Sequence, residues 1–525
     1  MRVRMLMAAL LLVGIGAMLQ AAGARGGGPM RRLSRQALAD KIRGGWAGQM
    51  IGVSFGAPTE FRFNGRIIEG PIQWKPEMVS NSIVQDDLYV EMTFTEVMDR
   101  IGLDATTEQY GEAFRDSKYQ LWHANAGARR ALNQGIRAPW SGHPKYNIHA
   151  NDIDFQIESD FIGMMTPGLP QEANKYADRV GHVMNYGDGV YGGMFFAGMY
   201  AAAFFESDPR RVVEAGLASI PAQSGYGRVI RDVLAWSAQH PDDWKKTWQL
   251  LREKWDRDDP CTEGALAPFN IDARLNGAHV ALGLLYGKGD FTRTIDVSTR
   301  AGQDSDCNPS SAAGVLGVMI GYDRIPDEWK AGIAAIADKK FDYTNYTFNS
   351  ITDSTIRRAL QVIRRAGGTV TETEALIPPQ APKPWKLEQW SPGVPDRIIN
   401  TDEAAWQWKG DWGTETASKH GKTILARVAR GAGAEATLTF SGVALTLVGP
   451  LSPQGGRADI YLDGKPARQL DAYIPERTHD DALWHIYGLP AGSHTVRIVV
   501  REDADPRSQG KRLVLWRAVA YRAGA

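Results

Sequence analysis

The stretch that most constrains the fold is Ala301 to Gly321, which reads AGQDSDCNPSSAAGVLGVMIG. Asp304 and Asp306 stand just before an Asn-Pro pair, which is typical of a helix N-terminus, and small and apolar residues follow. The pattern predicts a buried small-residue helix with two carboxylates at its mouth. One acid there is an ordinary helix cap, and the alternative for two acids beside Cys307 and Asn308 is a set of oxygen ligands for Mg²⁺, Mn²⁺ or Ca²⁺.

A second pair of acids opens another predicted helix. Asp86 and Asp87 follow Gln85 and precede LYVEMTFTEVMDRIG, in which apolar residues recur at helical spacing. Adjacent carboxylates repel each other unless a cation lies between or opposite them, and capping explains one of the two at most. Glu60, in the Gly/Pro-containing loop before this helix, either faces solvent or reaches the same site.

The chain divides into a helical part and a strand-rich part. SRQALADKIRGGWAGQMIG predicts a core helix with a small-residue stripe for close packing, and no strand alternation appears before about residue 360. A Pro-rich stretch and then alternating apolar residues follow, which predict a linker and a β-sandwich. The expected boundaries are a signal peptide at 1–24, a leader at 25–34, an all-α domain at 35–366, a Pro-rich linker at 367–398 and an all-β sandwich at 399–525.

The N-terminal sequence has the pattern of an export signal. Arg2 and Arg4 precede MLMAALLLVGIGAML, and small residues follow up to Ala24. This predicts a secretory signal peptide cleaved near Ala24, with an uncleaved anchor as the alternative. We therefore expect a secreted or periplasmic protein without membrane contact after cleavage. In that compartment Cys261 and Cys307 either pair or remain free buried thiols.

The net charge, one acidic segment and four tryptophans bear on which partners this chain binds. Lys plus Arg and Asp plus Glu are 60 each, so the net charge of zero does not indicate a nucleic-acid partner. The segment NDIDFQIESD predicts a solvated acidic loop. Four tryptophans of the β-rich part either stack on sugar faces or pack in the core. They are Trp406, Trp408, Trp412 and Trp484.

Four landmarks in order resemble the ADP-ribosylglycohydrolase family. They are GGWAGQMIG, VQDDLYVEMTF, NYGDGVYGGMFF and HVALGLLYGKGDFTRTIDVSTRAGQDSDCNPSSAAGVLG. The resemblance covers about residues 35 to 365, and the last landmark is the most specific. It implies a compact all-α bundle with one or two Mg²⁺ or Mn²⁺ ions. The strand-rich part resembles the galactose-binding-like or carbohydrate-binding jelly-roll modules of secreted enzymes.

The resemblance also implies site residues. The implied metal ligands are Gln85, Asp86, Asp87, Asp304 and Asp306. The implied catalytic residues are Glu60, Asp87 and Asp304, and the substrate-binding candidates in the Gly-rich turn are Gly187, Asp188, Gly189 and Tyr191. The chain departs from the family pattern where Gln49 replaces an acid and where Gln85 and Cys307 replace hydroxyl residues. An amide oxygen still suits Mg²⁺, whereas sulfur is a poor ligand.

Three functions follow from these patterns. The first is a secreted metal-dependent glycosyl hydrolase that cleaves an N- or O-glycosidic bond of an ADP-ribosyl or ribose-like sugar with metal-activated water. The second is an exported glycoside hydrolase acting on a plant or microbial polysaccharide or glycoside. The third is a non-catalytic sugar- or nucleotide-binding protein. The expected partner is a small-molecule or glycan substrate, and no oligomeric state is predicted.

Overall fold

Helices occupy the N-terminal two thirds of the computed structural model, which describes residues 28–256, 259–419, 422–478 and 480–524. The α-helices in these ranges are α1 (Arg35–Gly56), α2 (Asp86–Ile101), α3 (Thr107–Asp116), α4 (His123–Asn133), α5 (Asp154–Ile157), α6 (Asp160–Met164), α7 (Pro170–Gly181), α8 (Asp188–Ala203), α9 (Pro209–Ala218), α10 (Gly225–Gln239), α11 (Trp244–Trp255), α12 (Ala273–Gly287), α13 (Phe291–Arg300), α14 (Cys307–Ile320), α15 (Asp327–Lys330) and α16 (Phe348–Arg365). The predicted signal peptide lies outside the described residues. Among those that are described, no helix has both the length and the apolar character to span a bilayer.

Strands dominate the C-terminal third, and one further strand lies near the N-terminus. In chain order, the strands in the described ranges are β1 (Arg31–Ser34), β2 (Thr369–Val370), β3 (Glu374–Ile377), β4 (Val394–Asn400), β5 (Trp406–Lys409), β6 (Trp412–Lys419), β7 (Lys422–Ala429), β8 (Glu435–Gly442), β9 (Ala444–Gly449), β10 (Arg457–Leu462), β11 (Lys465–Pro466), β12 (Leu470–Asp471), β13 (Asp481–Ile486), β14 (Gly492–Val500), β15 (Val514–Leu515) and β16 (Arg517–Arg522). One sheet has the order β11-β10-β14-β8-β5, with β12 beside β10. A second has the order β13-β9-β16-β4, and a third has β15-β7-β6. The predicted order of an all-α domain followed by a β-sandwich is confirmed.

A glycine stripe brings α1 and α14 together. Gly44, Gly48 and Gly52 recur every four residues, so they share one face of α1. A Cβ atom at Gly48 would overlap the carbonyl of Ala313, and one at Gly52 would overlap the carbonyl of Pro309. Because neither position leaves room for a side chain, the two helices pack backbone to backbone. The predicted small-residue core helix therefore exists, and it lies against the helix that the Asp304/Asp306 turn opens.

The segment predicted as a linker is bound to the helical domain. Its strand β3 pairs with β1, which lies in the predicted leader, and β2 adds to the other edge of β3. Further along, Trp385 Nε1 donates to Asp178 Oδ1 at 2.9 Å, and His182 Nε2 lies 3.0 Å from a carboxylate oxygen of Glu388. The Pro-rich composition therefore marks a segment that packs on the domain surface.

The sandwich is also in direct contact with the helical domain. Arg130 Nη1 lies 3.1 Å from Asp481 Oδ1, and His485 Nε2 lies 2.7 Å from the carbonyl of Pro144. An apolar cluster crosses the same boundary and consists of Ala265, Ala444, Val448, Val519 and Tyr521. The two domains therefore share a buried interface.

The tryptophans divide between core and surface. Trp406 and Trp484 are buried in the sandwich core, where the Trp484 Nε1 donates to the carbonyl of Arg468. Trp408 is partly buried, stacks on Trp406 at 5.1 Å and lies against Trp412. The packing alternative is therefore confirmed for Trp406 and Trp484.

Candidate metal centre

Two helix starts and one loop bring five carboxyl groups together. Asp86 and Asp87 form the first turn of α2, and the turn that holds Asp304 and Asp306 leads directly into α14. Asp306 lies close enough to Asp87, Asp86 and Glu60 for their charges to act on one another. Asp304 interacts in the same way with Asp306 and Glu60. We refer to these five residues as the oxygen cluster.

The end of α1 positions the turn before α14. A Cβ atom at Gly56 would overlap the carbonyl of Ser305, so the turn lies directly against the last residue of α1. The hydroxyls of Thr59 and Ser305 are 2.7 Å apart, and the Phe61 N–H donates to the carbonyl of Gln303 at 3.1 Å. Glu60 lies between Thr59 and Phe61 in the sequence and is therefore held opposite the two acids of the turn.

Burial and mutual repulsion both act against ionisation of the cluster. Burial and the charge of Asp86 raise the pKa of Asp87 to about 8. Burial and the charge of Asp87 raise the pKa of Asp306 to about 7, and burial and Asp306 raise that of Asp304 well above its ordinary value. Desolvation and the charge of Asp306 raise the pKa of Glu60 to about 8, although the residue is exposed. Carboxylates packed in this way require either protons or a cation.

The cluster fits a divalent metal. Both carboxylate oxygens of Asp87 and Oδ1 of Asp304 are buried and have no hydrogen-bond partner among the described residues. Asp304, Asp306 and Cys307 each offer a ligand atom within 4.8 Å of the others. Unpaired buried oxygens are costly, and metal coordination removes that cost. Since the carboxylate donors are hard oxygens, the set suits a hard divalent cation such as Mg²⁺ or Mn²⁺.

A second layer of acids lies behind the oxygen cluster, and sequence reasoning missed it. The charge of Asp160 contributes to raising the pKa of Asp87 and of Glu91, and all three residues are buried. The Tyr200 hydroxyl donates to Asp160 Oδ2 at 3.0 Å, and the Phe161 N–H donates to Glu91 Oε2 at 3.0 Å. These groups are held by hydrogen bonds, so they support the ligands from inside the bundle.

The predicted solvated acidic loop is wrong. All four of its acids are buried, namely Asp152, Asp154, Glu158 and Asp160. The acids alternate with large apolar residues in DIDFQIESDFIGMM, and the short helices α5 and α6 lie under α8. That alternation was the available signal, because a solvated loop has no reason to carry so many large apolar side chains.

The predicted substrate turn has other partners. Asp188 Oδ1 accepts the Tyr226 N–H at 3.0 Å and so holds the start of α10. The Tyr191 hydroxyl donates to the carbonyl of Lys386 at 2.9 Å. Gly187 has a φ of 58°, and a Cβ atom on Gly189 would overlap the carbonyl of Ala150. These contacts hold neighbouring segments together, and substrate binding by the turn stays a prediction.

The departures from the family pattern occupy different places. Gln49 is fully buried and lies beside Tyr200 under Gly314. Gln85 is the N-cap residue of α2, and its backbone carbonyl accepts the Leu88 N–H at 3.2 Å. Its side chain as a metal ligand stays a prediction. Cys307 is a buried free thiol, as is Cys261, which confirms the free-thiol alternative.

Aromatic side chains adjoin the oxygen cluster on two sides. Phe61 and Phe269 are partly buried with their ring centres 4.8 Å apart, and they pack in the same apolar cluster as Cys307. Tyr89 lies close enough to Asp86 for the charge of that carboxylate to contribute to raising the pKa of Tyr89. The Tyr89 ring centre is 5.2 Å from that of Tyr343, which is exposed. Such ring faces suit the apolar face of a sugar or a base.

Comparisons with known proteins add sequence relatives. An A type blood alpha-D-galactosamine galactosaminidase of Flavonifractor plautii is 41% identical over 68 residues, which are 13% of this chain and 6% of that protein. An A type blood N-acetyl-alpha-D-galactosamine deacetylase of the same organism is 26% identical over 167 residues, which are 32% of this chain and 20% of that protein. The chain therefore spans a fifth or less of the length of these curated relatives.

Two solved structures align with parts of this chain at low TM-scores. An ADP-ribosylglycohydrolase-related protein complex aligns with a TM-score of 0.43 and 13% identity, covering 62% of this chain and 99% of that one. The CBM36-1 domain of a multidomain xylanase from the hindgut metagenome of Trinervitermes trinervoides aligns with a TM-score of 0.17 and 15% identity, covering 23% and 94%. The family model of ADP-ribosylglycohydrolase matches residues 34–362, which is more than half of the chain. The match spans the glycine stripe, both acid pairs and Glu60, and this chain therefore belongs to the ADP-ribosylglycohydrolase family.

Proposed function

We propose that this chain is an exported hydrolase that uses a divalent metal to cleave a glycosidic bond, with an ADP-ribosyl or other ribose-like sugar as its first candidate substrate. The observation that carries the proposal is the oxygen cluster, in which buried carboxylate oxygens converge without hydrogen-bond partners among the described residues. Export rests on the predicted signal peptide at 1–24, and N-terminal sequencing of protein collected outside the cytoplasm tests it.

The proposed reaction is a hydrolysis. The oxygen of a water molecule bonds to the anomeric carbon, the glycosidic bond breaks, and the leaving nitrogen or oxygen takes up a proton. A bound divalent ion supplies a Lewis acid that orients sugar hydroxyls and makes water more acidic. Asp86, Asp87, Asp304 and Asp306 would hold that ion.

Glu60 is suited to move the proton in this reaction. It is the exposed member of the oxygen cluster and follows a short 3₁₀ turn. Its carboxyl group is therefore within reach of a substrate that binds on the solvent side of the cluster. Asp306 lies close enough to influence its charge. We assign to Glu60 the role of accepting the proton of the attacking water, and to Phe61 and Phe269 the role of contacting the sugar ring.

A panel of substrates tests the proposal. ADP-ribosyl-arginine, ADP-ribosyl-serine and aryl glycosides are each incubated with the full chain, with Mg²⁺ or Mn²⁺, and with EDTA. We expect turnover of at least one substrate, its loss in EDTA and its return when Mg²⁺ or Mn²⁺ is added back. Turnover that persists in EDTA would rule out the metal-dependent route.

A glycan hydrolase is the second candidate. It is supported by the sandwich that packs against the helical domain and by the similarity to two Flavonifractor plautii proteins that are named for A type blood galactosamine sugars. Turnover of aryl glycosides without turnover of ADP-ribosyl compounds would favour it. Binding of a sugar in calorimetry, with no turnover of any substrate, would instead favour the non-catalytic alternative.

A further inference from the structure

A second group of ligand-type side chains lies outside the oxygen cluster. It consists of His123, His149, Asp152 and Cys261, and each offers one ligand atom within 4.8 Å of the other three. We refer to these residues as the mixed cluster, because they present nitrogen, oxygen and sulfur. They come from three separate stretches of the chain, around residues 123, 149–152 and 261, so only the fold brings all four together.

Two of three distances in the mixed cluster are near those around one small ion, and the third is a hydrogen-bond length that would have to widen when an ion binds. His149 Nδ1 lies 2.8 Å from Asp152 Oδ2 and 3.5 Å from Cys261 Sγ. His123 Nδ1 lies 3.8 Å from the same Asp152 oxygen. Tetrahedral Zn²⁺ with bonds of ~2.0–2.1 Å to nitrogen and ~2.3 Å to sulfur sets its ligand atoms about 3.3–3.6 Å apart.

Asp152 supplies an independent sign of a missing partner. Its side chain has no exposed surface, and its carboxyl group points at the imidazoles of His149 and His123. Its second oxygen, Oδ1, is buried and finds no hydrogen bond in the described part of the chain. Such a group is normally satisfied by protein, water or an ion.

The geometry does not suit a Cys-His-Asp catalytic triad. In a triad the two ring nitrogens of the histidine face different groups, one toward the nucleophile and the other toward the acid. Here the same atom, His149 Nδ1, faces both Cys261 Sγ and Asp152 Oδ2. A convergence of donors on one point is what a metal ion requires.

Buried hydrogen bonds hold each part of the mixed cluster. Asp154 accepts the N–H groups of Ala124 and Asn125 and so fixes the start of α4, where His123 lies. Asp259 accepts the Cys261 N–H at 2.8 Å and thereby holds residues 260–262, which we call the cysteine loop. These bonds orient the ligands in advance, so little ordering remains for an ion to impose.

The sandwich holds the cysteine loop from the other side. The Tyr521 hydroxyl donates to the carbonyl of Pro260 at 2.9 Å, and Arg517 Nη2 donates to the carbonyl of Thr262 at 3.1 Å. These two carbonyls flank Cys261. The mixed cluster therefore lies where the two domains meet.

We infer that His123, His149, Asp152 and Cys261 bind one Zn²⁺ ion in a closed structural site. Four protein ligands leave no open position for substrate, and the mixture of imidazole, thiolate and carboxylate suits Zn²⁺ better than Mg²⁺. Glu263 lies 3.5 Å from His123 Nδ1 at the outer edge of the site. The ion links α4 and the His149–Asp152 turn to the cysteine loop, which also accepts hydrogen bonds from the sandwich. This inference goes beyond the proposed function.

Metal analysis of the full chain, produced without a histidine tag, tests the inference. We expect about one Zn²⁺ per chain to remain after dialysis against EDTA. In Co²⁺-substituted protein we expect a thiolate-to-cobalt charge-transfer band with the intense visible bands of a tetrahedral site. Anomalous scattering at the zinc edge in a crystal should place one peak among the four side chains. A peak elsewhere, or no bound metal, would overturn the inference.

The two cysteines provide a matched pair of variants. Cys261→Ser should lower Zn²⁺ affinity at least about tenfold and abolish the cobalt charge-transfer band. Cys307→Ser should keep both, because Cys307 lies with the oxygen cluster. Loss of the band in Cys307→Ser alone would overturn the assignment. If Cys261→Ser does not fold, the cobalt spectrum and the anomalous peak of the unmodified chain decide. Zn²⁺ retention is measured without substrate, so its failure is distinct from failure of the proposed hydrolase.

Discussion

The two clusters differ in donor chemistry and in construction. The oxygen cluster presents carboxylates from two helix starts and from the loop after α1, and it suits a hard cation. The mixed cluster presents two imidazoles, a carboxylate and a thiol from the start of α4 and from two loops at the domain boundary, and it suits Zn²⁺. The comparison teaches that one helical domain presents two donor sets, one that suits a reacting, exchangeable ion and one that suits an ion that holds structure.

Their supports differ as well. The oxygen cluster depends on the close contact of α1 with α14, which the glycine stripe permits. The mixed cluster depends on hydrogen bonds from Asp154 and Asp259 and on the grip of β16 on the cysteine loop. A change in one support should therefore leave the other cluster intact, and four predictions test this independence.

The largest expected effect comes from the glycine stripe. In Gly48→Ala the new methyl group overlaps the carbonyl of Ala313, so the free energy of unfolding should fall by about 3 kcal/mol or more. Gly70→Ala is the matched control, because nothing lies within 4 Å of a Cβ atom there. Urea denaturation followed by circular dichroism measures both. Equal stability of the two variants would contradict the backbone-to-backbone packing of α1 and α14.

The next effect concerns activity. Asp306→Asn should lower turnover more than about 100-fold, because it removes a ligand charge from the oxygen cluster, while the Zn²⁺ content should not change. Asp402→Asn is the control, because Asp402 is an exposed acid of the sandwich, between β4 and β5. Steady-state kinetics and metal analysis give the two readouts. A fall in Zn²⁺ content in Asp306→Asn would show that the clusters are coupled.

A pH effect on the metal-free protein should be smaller. Burial and neighbouring acids raise the folded-state pKa of Asp87 to about 8 and of Asp306 to about 7, from ordinary values near 3.8. The folded state then binds more protons than the unfolded state between these values, so stability should fall as pH rises from about 4 to about 8.

Mg²⁺ provides the control for that measurement. The carboxylates must lose their protons to bind the ion, so stabilisation by added Mg²⁺ should grow over the same pH range. Thermal melts with and without Mg²⁺ between pH 5 and pH 8 test this. A Mg²⁺ shift that is equal at both ends of the range would speak against metal binding by the oxygen cluster.

The smallest effect concerns the mixed cluster's outer support. Tyr521→Phe removes the hydrogen bond to the Pro260 carbonyl, which should cost about 1 kcal/mol and speed the release of Zn²⁺ to a chelator several-fold. Tyr461→Phe, on β10 of the other sheet, is the control. Release rates followed with a coloured chelator provide the comparison. Unchanged release in Tyr521→Phe would show that the sandwich does not hold the cysteine loop.

The spacing of apolar residues along the sequence was sufficient to predict the fold class of each domain and the order of the two domains. Helical spacing and alternation separated the all-α domain from the sandwich, because both periods are properties of neighbouring residues. The acid pairs were visible for the same reason, since each pair lies within three residues at a helix start. The resemblance to the family then indicated that the two pairs meet.

Only the tertiary structure decided which polar residues are buried and which distant residues meet. Asp152 and Asp160 were expected in solvent and lie inside, because helices that come later in the chain cover them. The mixed cluster brings His123 and His149 to Cys261, and these residues do not form a short ligand motif, so no single stretch of the sequence predicts the cluster. Burial and long-range convergence depend on how the whole chain packs, and that information does not reside in any one stretch of the sequence.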